Sequence, residues 1–236
     1  MAKRDFSYRF YENTLKELQK NHEFVFLDNV SNNDVILRHD IDIALEPALK
    51  MAKIENKLGI SSTFFILFQS SFYNPFSVSS LKIIKEILDL DHRIGFHYDS
   101  SVYIKNHLRP KEIIMKEIDI MNKYYDTSIR EIAAHNPTTN DKLKIILPGI
   151  IDADSKKFKE NRKYLSDSVQ NWREGSFSNY ISEKNLYILI HPIWWSKDNL
   201  KREEILKSFS GGKLDPHKKE VEQLTIFQNN YLSRLK

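Results

Sequence analysis

The stretch LRHDIDIALEPALKMAKIENKLGISSTFFIL, residues 37–67, contains the pattern that decides the fold. It opens in an apolar strand over residues 35–38 and continues through a helix over residues 44–58. Leu58-Gly59 gives the glycine stop signal of that helix. The apolar run at residues 63–68 is typical of a strand that is buried on both faces. A strand, a helix and a second strand in this order predict a parallel βα unit.

The same alternation extends along the chain in both directions. Further strands are predicted at residues 24–27, 94–96, 132–134, 164–165 and 186–190, and further helices at 7–20, 77–88, from 110 onwards and at 221–235. No repeat, low-complexity tract or flexible linker interrupts the pattern. We therefore predict one domain over residues 1–236 with about seven parallel strands, which fit a closed or nearly closed α/β barrel better than an open sheet.

Composition limits the class of protein. Of the 236 residues, 41% are hydrophobic and 29% are charged, which suits a globular domain with a sizeable core. The net charge of +4 is small and scattered, so no nucleic-acid surface is predicted. Cysteine is absent, which excludes disulfides and thiolate metal sites. The sequence shows no signal-peptide core and no long uncharged apolar window, so we expect a cytoplasmic protein without a membrane span.

Polar groups collect at the ends of five predicted strands. The segments are RHDID (38–42), FHYD (96–99), AHNP (134–137), LSDS (165–168) and IHPIWW (190–195). Four of them carry a histidine, namely His39, His97, His135 and His191. In a parallel barrel all strands end at the same face, where active sites lie. These segments are therefore predicted to surround one pocket.

Histidine and aspartate without cysteine favour a divalent metal, with zinc the first candidate. Asp40 and Asp42 are two residues apart, so in a strand both point to the same face and could serve as base and metal ligand. Asp42 could equally be the N-cap of the following helix, and the two roles are compatible. Arg38 could neutralise Asp40, or it could lie on the other face of the strand and bind a neighbouring carboxylate; we expect the second arrangement.

Taken together, the segments HDID, FHYD, AHNP, SDS…WRE and LIHPIWW resemble the polysaccharide deacetylase superfamily, carbohydrate esterase family four. Within it they look like a cytoplasmic branch whose first motif reads His-Asp-x-Asp. The similarity extends from about Phe6 to Trp195, and residues 37–67 are its most specific part. The resemblance implies a distorted barrel that hydrolyses N-acetyl or related acyl groups of amino sugars with a divalent metal.

The resemblance also implies roles for individual residues. Asp40 matches the general base, His97 a metal ligand and His191 the general acid. Asp167 matches the carboxylate that tunes the acid histidine. The remaining candidates are predicted to bind substrate and are Tyr98, Trp172, Arg173 and Trp194. Trp194 and Trp195 could present a sugar-stacking wall, or they could simply pack in the core at the barrel rim.

The chain departs from the family pattern at two positions. Ile41 separates two aspartates that are usually adjacent, so Asp42 is expected to replace the second one. Ser101 stands where another histidine ligand is usual, so His135 is the best candidate for the third ligand. The metal site could accordingly be weakened, rearranged or metal-free.

Three functions follow as hypotheses. The first is a zinc-dependent deacetylase for an N-acylated sugar, possibly nucleotide- or lipid-linked, that is a precursor of a surface glycan. The second is a hydrolase of another amide bond, possibly metal-free. The third is a catalytically silent sugar-binding domain. The sequence does not specify the oligomeric state.

Overall fold

The computed structural model describes residues 5–106, 109–135 and 145–212. Helices and strands alternate through most of this range. In chain order they are α1 (Tyr8–Leu18), β1 (Glu23–Val25), β2 (Asp34–Ile41), α2 (Glu46–Lys57), β3 (Thr63–Leu67), α3 (Val78–Asp89), β4 (Arg93–Tyr98), α4 (Ser100–Lys105), α5 (Pro110–Tyr125), β5 (Glu131–Ala134), β6 (Ile151–Asp152), β7 (Lys163–Ser166), β8 (Leu186–Ile190) and α6 (Arg202–Gly212).

All eight strands belong to one sheet, and every strand pair is parallel. The order is β6-β5-β4-β3-β2-β8-β7, and β1 pairs with the first half of β2. Within the described ranges β6 and β7 are not paired with one another, so the sheet curls without closing. The predicted distorted barrel of parallel strands is confirmed, with β1 and the two-residue β6 at its margins.

Two apolar layers form because successive residues of a strand face opposite sides of the sheet. Ile36, Phe65, Ala133 and Tyr187 pack together in the barrel interior. The alternate residues face outward and pack with the apolar stripes of α2, α3 and α5. All eight residues of β2 are buried, as the continuous apolar pattern predicts for a strand covered on both faces.

Local signals place the helix ends where the sequence predicts them. The hydroxyls of Ser7 and Ser77 accept hydrogen bonds from the backbone N–H groups of Phe10 and Ser80, which caps α1 and α3. Pro110 is the first residue of α5, where its missing N–H costs nothing. α2 ends just before Gly59, which has a φ of 69° that glycine adopts without strain.

Residues 1–199 and 200–236 form two compact units. The first contains the whole sheet, and the described part of the second is α6. The helix predicted at residues 221–235 lies outside the described residues, and the single domain over residues 1–236 stays a prediction. None of the described helices is both long enough and apolar enough to cross a membrane.

Candidate active site

A cavity of about 320 Å³ opens where the strands end. Polar side chains of β2, β4 and β7 line it, together with residues that follow β2, β5, β6, β7 and β8. They include Arg38, Asp40, Asp42, His97, His135, Asp154, Lys159, Ser166, Arg173 and His191. Parallel strands present their carboxyl ends at the same face, which explains why residues more than 150 positions apart meet here.

Asp42, His97 and His135 form a compact cluster in this cavity. The Asp42 Oδ1 atom lies 3.2 Å from His97 Nε2 and 3.1 Å from His135 Nδ1. One ligand atom from each residue lies within 4.8 Å of the others. A carboxylate oxygen and two imidazole nitrogens are suitable ligands for zinc or a similar divalent metal.

The hydrogen bonding of His97 directs its Nε2 atom at Asp42, which suits a cation between these groups. Its Nδ1 lies 2.9 Å from the carbonyl oxygen of Ala133 and donates to it, because a carbonyl can only accept. In the neutral ring Nε2 is then an acceptor, and it faces Asp42 Oδ1, also an acceptor. Both atoms are buried without a hydrogen-bond partner among the described residues. A metal ion bound by both would satisfy them, and the Ala133 carbonyl orients the ring as such ligands require.

The ionisation of Asp42 also favours a cation at this cluster. Burial alone raises the pKa of Asp42, but His135, His97 and the His191 charge outweigh burial and hold it well below its usual value. Burial alone lowers the pKa of His135, but the contact with Asp42 raises it. The carboxylate is therefore ionised and draws positive charge towards it.

Asp40 lies beside the cluster and is held by Arg38. The Arg38 Nε atom donates to Asp40 Oδ1 at 2.7 Å, and Nη2 donates to Oδ2 at 2.8 Å. Asp40 Oδ2 is also 3.7 Å from His97 Nε2. The expectation that Arg38 lies on the opposite face from Asp40 is wrong, because residues two apart on a strand share a face.

Asp154 completes this arrangement and was not predicted from the sequence. Its Oδ1 accepts from Arg38 Nη1 at 2.9 Å and its Oδ2 from the Ala134 N–H at 2.9 Å. Burial alone raises its pKa, but Arg38 outweighs burial and lowers the pKa to about 2. The spacing Asp152-x-Asp154 at the end of β6 repeats the spacing Asp40-x-Asp42 at the end of β2, and this repetition could have identified Asp154.

His191 and Asp167 form a second group on the cavity. His191 Nδ1 lies 2.7 Å from Asp167 Oδ1, which also accepts from the His191 backbone N–H at 2.8 Å. The indole Nε1 of Trp195 donates to Asp167 Oδ2 at 2.8 Å. Burial alone lowers the pKa of His191, but Asp167, Asp40 and Asp42 raise it to about 9. The ring is therefore protonated at neutral pH, and its Nε2 lies 3.9 Å from Asp42 Oδ2.

His39 is the one strand-end histidine that lies outside the cavity. Its position alternates with Arg38 and Asp40, so its side chain faces α2 and stacks on Phe64 with ring centres 4.2 Å apart. His39 Nε2 lies 2.9 Å from Glu55 Oε1, and both side chains are fully buried. We assign His39 to the core.

Three residues expected to bind substrate do not line the cavity. Tyr98, Trp172 and Trp194 are 3%, 9% and 8% exposed, and the cavity lining does not include them. Their assignment as substrate-binding residues is not supported by this arrangement. Trp195 also packs in the core, so neither tryptophan of the pair forms a wall of the cavity.

Two further predicted site residues, Arg173 and Asp42, lie at the cavity. The exposed Arg173 lines the cavity. The alternative that Asp42 caps a helix is wrong, because α2 begins at Glu46 with Leu45 as its N-cap residue. The Asp42 carboxylate instead faces the histidines.

The fold and the cavity together define a parallel α/β barrel with a histidine- and aspartate-lined site at the carboxyl ends of its strands. The sequence matches no protein-family model and no curated protein. Solved structures that match part of this backbone include carbohydrate esterases and deacetylases.

Three of these structures illustrate the extent of the likeness. The chitin deacetylase of the fungal pathogen Colletotrichum lindemuthianum is 15% identical, with 81% of this chain and 86% of that chain covered and a TM-score of 0.48. The catalytic domain of a peptidoglycan N-acetylglucosamine deacetylase from Eubacterium rectale is 15% identical, with 78% and 87% covered and a TM-score of 0.47. A family-four pseudoenzyme from Bacillus anthracis is 14% identical, with 85% and 75% covered and a TM-score of 0.42. Likenesses of this size do not assign an activity to the chain.

Proposed function

We propose that this protein is a metal-dependent hydrolase that removes an N-acetyl or related acyl group from an amino sugar. The observation that carries the proposal is the pair of buried acceptors, His97 Nε2 and Asp42 Oδ1, which face one another at 3.2 Å beside His135. This pair would bind a metal ion, and the neighbouring Asp40 and His191 would serve as base and acid.

The proposed metal ligands are Asp42, His97 and His135. A divalent cation there, zinc being the first candidate, would polarise the acyl carbonyl and acidify a water molecule. His135 takes the place that the family pattern gives to a histidine at position 101. Ser101 lies in α4, where its N–H binds the Asp99 carboxylate, and it does not line the cavity. The geometry therefore favours His135 as third ligand.

Asp40 is the proposed base. Arg38 occupies one lone pair on each of its oxygens, but a carboxylate oxygen has two, so Asp40 can still accept a proton from water. The fork of Arg38 fixes the plane of the carboxylate, which keeps the second lone pairs directed into the cavity. Proton removal and attack of the water oxygen on the acyl carbon thus occur at a fixed position.

His191 is the proposed acid. Because Nδ1 is bound to Asp167, the proton available to substrate is on Nε2. Its transfer to the leaving nitrogen lets the carbon–nitrogen bond break and releases a free amine and a carboxylic acid. Asp167, fixed by Trp195 and the His191 backbone, keeps the ring oriented and charged. Asp167 is thus a positioning residue.

We further propose that the substrate is a small N-acylated sugar unit that is nucleotide- or lipid-linked and is a precursor of a surface glycan. A cavity of about 320 Å³ is at the small end of the range for ligand sites. Lys159 and Arg173 line it, which favours a substrate with a phosphate group. The absence of cysteine suits a cytoplasmic location.

Metal analysis and a deacetylation assay test this proposal. Purified protein is expected to contain about one zinc-like ion per chain and to release acetate from N-acetylated sugar nucleotides. His135→Ala should lose the metal and the activity, whereas His22→Ala is the matched control. His22 lies between α1 and β1 and does not line the cavity, so its variant should keep both.

Each alternative gives a different result. Full activity after chelation, with no metal in the protein, would contradict the metal-dependent reaction and favour a metal-free amide hydrolase. Tight sugar binding without turnover under any divalent metal would identify a sugar-binding domain.

A further inference from the structure

The turn after β7 has an unusual backbone. Val169 has φ 54° and ψ 36°, and Gln170 follows with φ 57°. Two consecutive residues are therefore in the left-handed region, which glycine and asparagine adopt far more readily than other residues. For a valine, whose Cβ is branched, this conformation is a genuine outlier.

The surrounding structure holds the turn in this shape. It begins at Asp167, whose carboxylate is buried and accepts hydrogen bonds from His191 and Trp195. It ends at Asn171, whose N–H donates to the Asp167 carbonyl at 3.2 Å. Between them, the Gln170 side chain donates to the Trp194 carbonyl at 3.3 Å. The turn is thus fixed at both ends, which is how strained residues persist in folded proteins.

Neither packing nor turn chemistry explains why position 169 is valine. Its side chain is 53% exposed, so little of it is buried in the core. Glycine would make the same turn without strain. The exposed part of Val169 lines the cavity, where most other lining side chains are polar or charged. A contact with a bound molecule accounts for an apolar, strained residue at this place.

We propose that Val169 contacts the substrate and that its isopropyl group packs against the apolar C–H face of the sugar ring. This inference rests on the proposed function. The turn follows directly from Asp167, which holds the proposed acid His191, so Val169 is on the side of the leaving amine. The amine belongs to the sugar, whereas the acyl group faces the proposed metal ligands.

The tryptophans that could have provided this contact are elsewhere, and the ring of Tyr164, which lines the cavity, packs against Tyr187 and Lys159. Trp172 and Trp194 are buried and do not line the cavity. Two other aliphatic residues, Ala134 and Leu189, do line it, but they lie within β5 and β8 and are less exposed than Val169. Val169 is therefore the exposed apolar group available to a sugar ring.

Replacing the valine by glycine separates substrate contact from folding. Val169→Gly removes the side chain and the strain together. We expect KM for an N-acetylated sugar nucleotide to rise about fivefold to tenfold. The melting temperature should be no lower than that of the wild type, because glycine accepts the positive φ. Val169→Ile, which keeps the apolar contact, should retain a KM within about twofold of wild type.

Val30→Gly is the matched control. Val30 is 40% exposed and precedes β2, at the opposite end of the barrel from the cavity. This variant should lower the melting temperature slightly, because glycine gains chain entropy on unfolding, and should leave KM unchanged.

The outcomes separate this inference from the proposed function. If the wild type turns over the sugar and Val169→Gly does so with an unchanged KM, the inference alone is overturned. If the wild type neither hydrolyses nor binds N-acetylated sugars, the proposed function fails and this inference fails with it. A raised KM with a retained melting temperature supports both.

Discussion

Arg38 binds both oxygens of Asp40 through a planar fork that lysine cannot reproduce. Arg38→Lys should therefore keep the buried positive charge but let the Asp40 carboxylate rotate. We expect kcat to fall by about 10-fold to 100-fold, because misplacement of a catalytic group by about 1 Å costs that much. The bound metal should be retained. Elemental analysis and steady-state kinetics on the same preparation check this.

Arg93→Lys is the control for that substitution. Arg93 pairs with Asp28 at the amino-terminal end of β4, away from the cavity. If Arg38→Lys had no larger effect on kcat than Arg93→Lys, the Asp40 base assignment would be contradicted.

Asp167 raises the pKa of His191 to about 9, although burial of the ring opposes it. Asp167→Asn removes that charge, so the His191 pKa should fall and less of the ring should be protonated near neutral pH. We expect activity to fall by about 100-fold or more. The loss should be greater at pH 8 than at pH 6, because protonation at pH 6 is less affected. The pH dependence of kcat/KM measures this.

The matched variant Asp28→Asn should leave that profile unchanged, since Asp28 pairs with Arg93 outside the cavity. A profile for Asp167→Asn with the same shape as wild type would contradict the role of His191 as acid.

The two-residue period of a strand predicted which polar residues meet. It placed Asp40 and Asp42 on one face, and convergence of strand ends brought His97, His135 and His191 to them. The same period, applied to Arg38, would have placed it on the face of Asp40 and excluded His39 from the cavity. The burial of all three tryptophans could not be read from the sequence, because it depends on packing between α1 and the loops after β7 and β8.

A buried polar cluster on the outer side of β2 connects several helices and strands. Glu55 of α2 accepts from Tyr11 of α1 at 2.7 Å and lies 2.9 Å from His39 of β2. His92 lies next to the cluster and donates its Nε2 proton to the Ala52 carbonyl at 3.0 Å. Ser62, before β3, donates its hydroxyl to Glu55. One carboxylate thus connects two helices to the sheet.

Low pH should lower the stability that the Glu55 cluster contributes. Burial alone raises the pKa of Glu55, but His39, His92 and Ser62 outweigh burial and lower it. A lowered folded-state pKa contributes stability that is complete above the unfolded pKa of about 4.3 and is lost as pH falls through the folded value. Between pH 6 and pH 3, wild type should lose more unfolding free energy than Glu55→Gln.

Urea unfolding at several pH values measures the difference. Glu86→Gln is the control, because Glu86 is half-exposed and pairs with Lys53 on the surface. Parallel stability curves for wild type and Glu55→Gln would contradict the prediction.

Long elements were the most predictable part of the fold. α1, α2, α3, α5 and the buried strands follow from apolar period, serine caps and the glycine and proline signals at their ends. β6 has two residues, and α4 has six. Such short elements carry too little periodicity to stand out, and their formation depends on neighbours that are distant in sequence.

At the scale of the whole molecule, ligand binding and folding are linked through the proposed metal site. The three proposed ligands come from β4 and from the residues that follow β2 and β5, so a bound ion connects three strands. An ion that binds only the folded state at 100 times its Kd adds about 2.7 kcal/mol of stability. Zinc should then raise the melting temperature by about 5–10 °C after removal of bound metal by chelation.

His135→Ala should lose most of this shift and His22→Ala should keep it, as thermal unfolding with and without zinc can show. An equal shift in both variants would exclude His135 as a ligand.

The gap between β6 and β7 limits which residues of this protein can be replaced during evolution. Backbone pairing does not join β6 to β7 in the described residues, but interior side chains reach across. The Tyr187 hydroxyl donates to the Ala153 carbonyl at 2.8 Å, and Arg38 binds Asp154 while it holds Asp40. Arg38 therefore orients the proposed base Asp40 and also joins β2 to the segment after β6. A related protein that lacks His191 could still fold. Loss of Arg38 would also destabilise the barrel, so we expect inactive relatives to keep the arginine.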